Sequence, residues 1–170
     1  MPAIDFDVDA LYAALDEARR ARGLSWQQLA REISAQFGRT GSRPIAASTL
    51  SGMRGKRVIE GDGVLQALRW LNRTPESFVP GHQSSADETL PHVEPDRILR
   101  FDAIAIHNAL DAQRTARGLT WPQVAREIGG VAPSGLTRLA NGGRLGFPGV
   151  MRIFRWLGKS AVSFTRIAEH

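Results

Sequence analysis

The chain has 170 residues, of which 42% are hydrophobic and 23% charged, and it carries a net charge of +5 and no cysteine. This composition is typical of a globular domain. The sequence excludes disulfides and thiolate metal sites, it has no apolar run of about 18 residues that would span a membrane, and its acidic start lacks the apolar core of a signal peptide.

A first helix is predicted over residues 9–22. Leu11, Leu15 and Ala18 recur at the spacing of one helical face. Gly23 follows at the position where helices commonly end in a left-handed conformation. The pattern therefore predicts an amphipathic helix with one buried face.

The next stretch, GLSWQQLAREI at residues 23–33, returns as GLTWPQVAREI at residues 118–128. A fixed internal period indicates a duplicated module. We therefore predict two domains, residues 1–80 and 96–170, joined by a linker over residues 81–95. Modules this small bury little core, so compact helical packing is expected.

Each copy of this stretch starts a second helix. Ser25 is followed three residues later by Gln28, and Thr120 by Gln123, which is the spacing of a capping box. The second helix of each module is therefore predicted to start directly after this cap, at a tryptophan in both copies.

The copies then differ in length. Nine more residues lie between Ile33 and Leu50 than between the equivalent Ile128 and Leu136. This insertion falls within residues 34–47 and is rich in Gly and Ser. It is interpreted as an extended loop, or as a longer second helix followed by a loop. The first domain thus carries a nine-residue insertion before its third helix.

The remaining helices repeat with a spacing of 86 residues. A third helix is predicted over residues 48–54 and 133–140, and a fourth over residues 61–71 and 148–157. The tryptophans of the fourth helices are expected in the core. The sequence Thr-Pro-Glu at residues 74–76 predicts a brief fifth helix, because it combines an N-cap, a first-turn proline and an acid.

Residues 80–96 contain three prolines, paired serines and acids, a composition typical of a flexible linker. The net charge is +2 over residues 1–80, −3 over residues 81–95 and +6 over residues 96–170. A basic domain beside an acidic linker is compatible with nucleic acid as a partner, but charge alone does not single it out.

The second copy contains a helix-turn-helix pattern: two helices, a short glycine-containing turn between them, and a small residue, Ala125, where they cross. Val131 is expected to fill the turn. Leu136 and Leu139 are expected to anchor the third helix to the core. The side chains left outward are Pro133, Ser134, Thr137 and Arg138.

On these residues the chain resembles the lambda-repressor-like (Cro/C1-type, or XRE) helix-turn-helix family. The resemblance covers residues 106–164 and, more loosely, residues 11–79, roughly three-quarters of the chain. It implies an all-α fold of two tandem four- or five-helix domains joined by a flexible linker, and binding to double-stranded DNA. The residues that carry it are Arg117–Thr120, Val124–Ala125, Ile128–Gly129, Val131, Leu136, Leu139, Asn141–Gly142 and Ile153–Leu157.

The resemblance implies that the third helix enters the major groove. Arg138 is the physically capable reader, because its guanidinium can bond both O6 and N7 of guanine. The equivalents in the first copy include Ala47 and Gly52, which offer almost no hydrogen bonds, so that domain is expected to hold the backbone more than to read sequence. The base-reading candidates are Pro133, Ser134, Thr137, Arg138, Ser48 and Thr49.

Phosphate contacts are expected at the start of the second helix and in the turn after the third. Family members commonly have Gln at the first residue of the second helix. Both copies here have Trp, which either packs inward or donates one bond to a phosphate. Arg39 and Arg43 are interpreted either as a DNA-backbone arm or as a solvated loop. The phosphate candidates are Trp26, Gln27, Arg39, Arg43, Arg54, Lys56, Arg57, Trp121, Gln123, Asn141 and Arg144.

No catalytic, phosphate-loop or metal-ligand pattern is visible, so we predict neither an enzyme nor a metal, cofactor or small-molecule ligand. The repeated Arg-Glu pairs of the second helices are interpreted as structural salt bridges. The predicted function is a sequence-specific transcriptional regulator that reads an asymmetric or bipartite site. We expect a repressor, in the cytoplasm and nucleoid of a bacterium or encoded by a phage.

Two alternatives stay open. One is a protein-interaction or antitoxin-type regulator in which only the C-terminal domain binds DNA. The other is a nucleoid-type binder with a steep salt dependence and little preference among sequences. A homodimer or a separate protein partner is compatible with either.

Overall fold

The computed structural model describes residues 5–81 and 88–170. Within these ranges lie eight α-helices, three 3-10 helices and four short strands, and the strands form two antiparallel two-stranded sheets. The expected all-α fold is therefore wrong: the chain is a mixed structure of helices and sheets. One of the two sheets joins the two halves of the chain.

The predicted helices are present, and the third helix of each half is shorter than expected. In the first half the elements are α1 (Val8–Ala21), α2 (Trp26–Ala35), α3 (Ala47–Ser51), β1 (Ile59–Glu60), α4 (Gly61–Leu71) and a 3-10 helix (Pro75–Phe78). In the second half they are β2 (Ile98–Phe101), α5 (Ala103–Arg117), α6 (Trp121–Ile128), α7 (Pro133–Thr137), a 3-10 helix (Arg138–Asn141), β3 (Gly146–Phe147), α8 (Gly149–Leu157), a 3-10 helix (Ala161–Phe164) and β4 (Thr165–Ala168).

The internal repeat extends to individual hydrogen bonds. Arg19 of α1 donates to the carboxylate of Asp16 and to a carbonyl in the turn that follows the helix. Arg114 of α5 makes the same two bonds, with Asp111 as its acid. Both capping boxes are formed as the sequence predicts. Equivalent residues therefore build equivalent local structure in the two halves.

The halves join through β1 and β3, which pair antiparallel with Ile59 opposite Phe147 and Glu60 opposite Gly146. A two-residue strand has too few bonds to persist alone, so each of these strands depends on its partner in the other half. The two halves are consequently packed against each other.

A continuous apolar core runs through both halves. Phe147 of β3 is fully buried, and its ring centroid lies 4.5 Å from that of Phe6 in the first half and 5.8 Å from that of Phe101 in the second. Aromatic side chains bury a large apolar area. Sharing a core gives each half more buried surface than a domain of its size reaches alone.

Several polar contacts also bridge the halves, and two of them are made by Asp5 and Glu76 of the first half. The guanidinium of Arg152 donates two hydrogen bonds of 2.7 Å to the carboxylate of Asp5. This contact lowers the pKa of Asp5 and raises that of Arg152. The second contact is buried: Oε1 of Glu76 accepts the backbone N–H of Ala161 at 2.6 Å. These contacts fix the orientation of one half relative to the other.

The expected flexible linker is wrong for the part that the structure describes. Residues 82–87 lie outside the described residues. Further on, Val93 is buried, and its carbonyl accepts a hydrogen bond of 2.9 Å from Arg69 of α4. The buried side chain of Val93 thus packs this end of the linker onto the first half.

The insertion is a longer helix followed by a loop, one of the two forms that the sequence left open. Helix α2 runs two residues beyond the position equivalent to the end of α6, and the chain then turns. Phe37 of the insertion is buried against Ile98 and Ala168 of the β2–β4 sheet. The insertion therefore packs the first half onto the second.

Candidate nucleic-acid interface

A four-residue turn, residues 129–132, joins α6 to α7 in the second half. Gly129 and Gly130 have φ angles of 83° and 71°, a left-handed backbone that glycine adopts without steric cost and that reverses the chain within this short turn. Leu136 and Leu139, each 1% exposed, hold α7 and the 3-10 helix after it against the core. One side of α7 is thereby left to solvent.

The outer side of α7 and the first residue of the 3-10 helix after it carry three of the four base-reading side chains predicted for this half. Ser134, Thr137 and Arg138 are exposed, whereas Pro133 is half-buried. The hydroxyl of Thr137 and Nε of Arg138 both donate to the carbonyl of Ser134, at 3.2 and 3.3 Å. Arg138 has no carboxylate partner within the described residues, so both terminal nitrogens of its guanidinium are available to a ligand.

The equivalent surface of the first half is poorer in donors. Eleven residues, 36–46, separate α2 from α3, so the tight turn of the second half has no counterpart. Ser48 and Thr49 are exposed as predicted. At the position of Arg138 stands Gly52, where an added Cβ would lie 2.8 Å from the carbonyl oxygen of Ser48. Gly52 has no side chain, and the local backbone also disfavours replacing it with a residue that has one.

Basic residues follow the third helix in both halves. Arg54, Lys56 and Arg57 are all exposed, as is Arg144 in the equivalent turn with its neighbour Asn141. None of the four basic side chains forms an ion pair within residues 5–81 and 88–170. Their turns lead directly into β1 and β3, which brings the positive charge of both halves towards the junction between them.

By contrast, several arginines of α1 and α5 are neutralised by nearby carboxylates. Arg19 pairs with Asp16 in α1, and Arg117 of α5 pairs with Glu127 at 2.7 Å. The hydrogen bonds from Arg117 and from the indole of Trp156 hold the pKa of Glu127 below its usual value. Five basic side chains without a carboxylate partner among the described residues lie at and after the third helices: Arg54, Lys56, Arg57, Arg138 and Arg144.

The repeated Arg-Glu pairs of the second helices form a different network from the one expected. Glu32 pairs at 3.7 Å with Arg22, the residue that follows α1, and not with its neighbour Arg31. Arg31 and the equivalent Arg126 are exposed and have no acid partner in the described part of the chain. The sequence interpretation missed these two cations, and their recurrence in both copies was the only signal for them.

The tryptophans that start α2 and α6 are held by packing. Trp26 stacks on Tyr12 with ring centroids 5.5 Å apart, and the Arg19 guanidinium carbon lies over the Trp26 ring, 4.7 Å from its centroid. Trp121 stacks on His107 in the same way, at 5.3 Å. Both rings are half-buried. Neither indole N–H has an acceptor among the described residues, so each remains a donor for a phosphate.

The tryptophans of the fourth helices are less buried than expected. Trp70 and Trp156 are half-buried, because their indole N–H groups reach outward to Glu32 and Glu127, at 3.3 and 3.0 Å. They fasten α4 and α8 to the second helix of the same half.

The other phosphate candidates differ in whether their side chains are already engaged by hydrogen bonds or carried on a packed segment. Gln27 is exposed, whereas the side-chain oxygen of Gln123 is engaged by the N–H of Thr120 in the capping box. Arg39 and Arg43 are exposed, but the insertion that carries them is packed on the β2–β4 sheet. The insertion is therefore a packed loop and not a free arm.

No family model, curated protein or solved structure matches the chain. Within residues 5–81 and 88–170, no three His, Asp or Glu side chains are grouped as metal ligands. The same part of the chain contains no helix with the length and apolarity to cross a membrane. A function is therefore inferred from the chemistry of the surface around α7.

Proposed function

We propose that the protein is a sequence-specific regulator that binds double-stranded DNA. One observation carries this proposal: a short helix, fixed by two buried leucines after a four-residue turn, presents Arg138 together with Ser134 and Thr137 to solvent. A helix-turn-helix protein presents its second helix to the major groove in this manner.

Arg138 is the proposed base reader. Its guanidinium combines a rigid fork of donors with the absence of a competing carboxylate among the described residues, and such a fork bonds O6 and N7 of guanine. Ser134 and Thr137 supply hydroxyls that reach a base edge or a phosphate. Sequence preference is therefore expected to be strongest at the base pair beneath Arg138.

The basic turns after the third helices are the proposed phosphate clamps. Arg54, Lys56 and Arg57 in the first half and Arg144 in the second are exposed and unpaired within the described chain. Cations of this kind set the position of the protein on DNA and make affinity depend on salt, without reading sequence. Arg31 and Arg126 add positive charge on the preceding helices.

Repression is the proposed outcome of binding, because a protein bound at a promoter blocks it sterically without any further domain. We propose that the protein acts at the nucleoid of a bacterial cell and is encoded either by the bacterium or by a phage.

A second candidate function is favoured by α3. Ala47 and Gly52 leave its outer side with few hydrogen-bonding groups. In this alternative the first half binds a protein, as in an antitoxin-type regulator, and only the second half holds DNA. Alanine variants of Arg54, Lys56 and Arg57 separate the two candidates, because they weaken DNA binding only where the first half contacts the duplex.

The test is selection of binding sites from a random duplex library by the full-length protein at about 150 mM salt, where nonspecific attraction is screened. An enriched motif supports the proposal. Arg138→Ala should then weaken binding to that motif by about 1–3 kcal/mol, roughly 5- to 150-fold, and relax one base position.

Lys159→Ala is the matched control for Arg138→Ala. It removes one positive charge from an exposed residue outside the third helices and their turns. Its sequence preference should equal that of the wild type. A selection without any enriched motif would refute sequence-specific regulation, and an Arg138→Ala motif identical to the wild type would remove Arg138 as the reader.

A further inference from the structure

The contacts between the two halves are related by a two-fold rotation, which exchanges each residue with its equivalent in the other half. Residues that differ by 86 in number are equivalent from the third helix onwards, so Glu60 corresponds to Gly146. These two residues face each other in the β1–β3 pair. A position that pairs with its own equivalent lies on the symmetry axis of an isologous contact.

The neighbouring pairs are reciprocal about this axis. Ile59 lies opposite Phe147. In the other half, Leu145 is the equivalent of Ile59, and Gly61 is the equivalent of Phe147. A two-fold axis therefore requires Leu145 to lie opposite Gly61, and the N–H of Gly61 does donate to the carbonyl of Leu145, at 2.7 Å. A simple translation of one half along the other would not produce both contacts.

The aromatic core shows the same reciprocity independently of the strands. Phe6 and Phe101 are equivalent at the spacing of 95 that holds before the insertion. Phe6 packs on Phe147, and the ring of Phe101 lies 3.1 Å from where a Cβ at Gly61 would be. Each half therefore places its equivalent phenylalanine against the equivalent position of the other half, Phe6 against Phe147 and Phe101 against Gly61.

We infer that one chain binds one inverted-repeat DNA site, with unequal half-sites on either side of its internal two-fold axis; this rests on the proposed function. Because the halves are related by rotation, α3 and α7 meet the duplex in opposite directions. A translation would have suited a direct repeat. Dimeric helix-turn-helix proteins match their own two-fold axis to that of the site.

The spacing between the half-sites should be fixed. The core that both halves share, the Asp5–Arg152 ion pair and the buried Glu76–Ala161 hydrogen bond hold the two halves in one arrangement. The half-site beneath α7 should be the stricter one, because Arg138 stands where α3 has Gly52. The two half-sites are therefore inverted with respect to each other, and the half-site beneath α7 tolerates fewer base changes than the half-site beneath α3.

The test compares duplexes built from the motif that the wild-type protein selects from the random library. One set carries the two half-sites inverted, everted or as a direct repeat, and a second set lengthens the spacing by about 5 and about 10 bp, half a helical turn and one full turn. Affinity is measured by fluorescence anisotropy, and stoichiometry by native mass spectrometry. The wild-type chain serves throughout, so no variant has to fold.

The expected result is one chain per duplex and an affinity for the inverted arrangement at one spacing at least about tenfold above all others. Loss of affinity at both longer spacings should follow from the fixed arrangement. Tighter binding to the direct repeat, indifference to spacing, or two chains per inverted repeat would overturn the inference while leaving DNA binding intact. A wild-type protein that selects no motif would overturn the proposed function as well.

Discussion

Glu76→Ala should test how strongly the two halves depend on each other. Glu76 is 5% exposed, its Oε1 accepts the N–H of Ala161 from the other half, and its Oε2 has no hydrogen-bond partner within the described structure. Alanine would leave that N–H buried without an acceptor, which costs about 1–3 kcal/mol. Truncation to Ala also removes one buried methylene, Cγ, which costs about 0.8 kcal/mol more, so the expected loss of unfolding free energy is about 2–4 kcal/mol.

The assay is urea unfolding followed by circular dichroism, with the free energy taken from the midpoint and slope. Glu76→Gln is the matched variant, because its side-chain amide oxygen can still accept the N–H; it should retain most of the wild-type stability. Glu17→Ala, the same truncation at an exposed residue of α1, should change stability by no more than about 0.5 kcal/mol. A Glu76→Gln protein as unstable as Glu76→Ala would refute the reasoning, since the acceptor would then not be the stabilising feature.

Three further predictions concern the phosphate clamp, the turn and pH. Lys56→Ala should weaken binding to all sequences about equally and lower the slope of log K against log salt by roughly one; an unchanged slope would remove Lys56 from the phosphate contacts. Gly130→Ala should lower the melting temperature, because φ is +71° and the new Cβ would collide with the Arg152 guanidinium, whereas Gly135→Ala in open space within α7 should not. The pKa of Asp5 is lowered by its bond to Arg152, so this stabilisation is complete above about pH 4 and is lost as the pH falls through the lowered pKa. Asp5→Asn should flatten that acid dependence of the urea midpoint, and an unchanged dependence would contradict the assignment.

The helices were predictable because their signals are local. The capping boxes at Ser25 and Thr120 place an acceptor and a donor three residues apart, and both are formed in the structure. The third helices were predicted too long, since α3 ends at Ser51 and α7 passes into a 3-10 helix after Thr137. Apolar spacing alone does not distinguish an α-helical turn from a tighter one.

The strands were not predictable from the sequence. Two residues, Ile59 and Glu60, show no alternation that would indicate a strand, and their partners come from the other half of the chain. The expected separate all-α domains failed for the same reason: buried side chains such as Phe147 indicate burial but not which half covers them. The insertion shows it again, because nothing local indicated that Phe37 packs on the second half.

For the candidate site, the sequence by itself determined the chemistry of the outer side of α7, because the spacing of Leu136 and Leu139 leaves Ser134, Thr137 and Arg138 outward. It also determined that the chain is a repeat. Only the tertiary structure decided how the two copies are related, since rotation and translation of a repeat have the same sequence. The two-fold arrangement arises from long-range strand pairing and a shared core, and those contacts form only when both halves fold together.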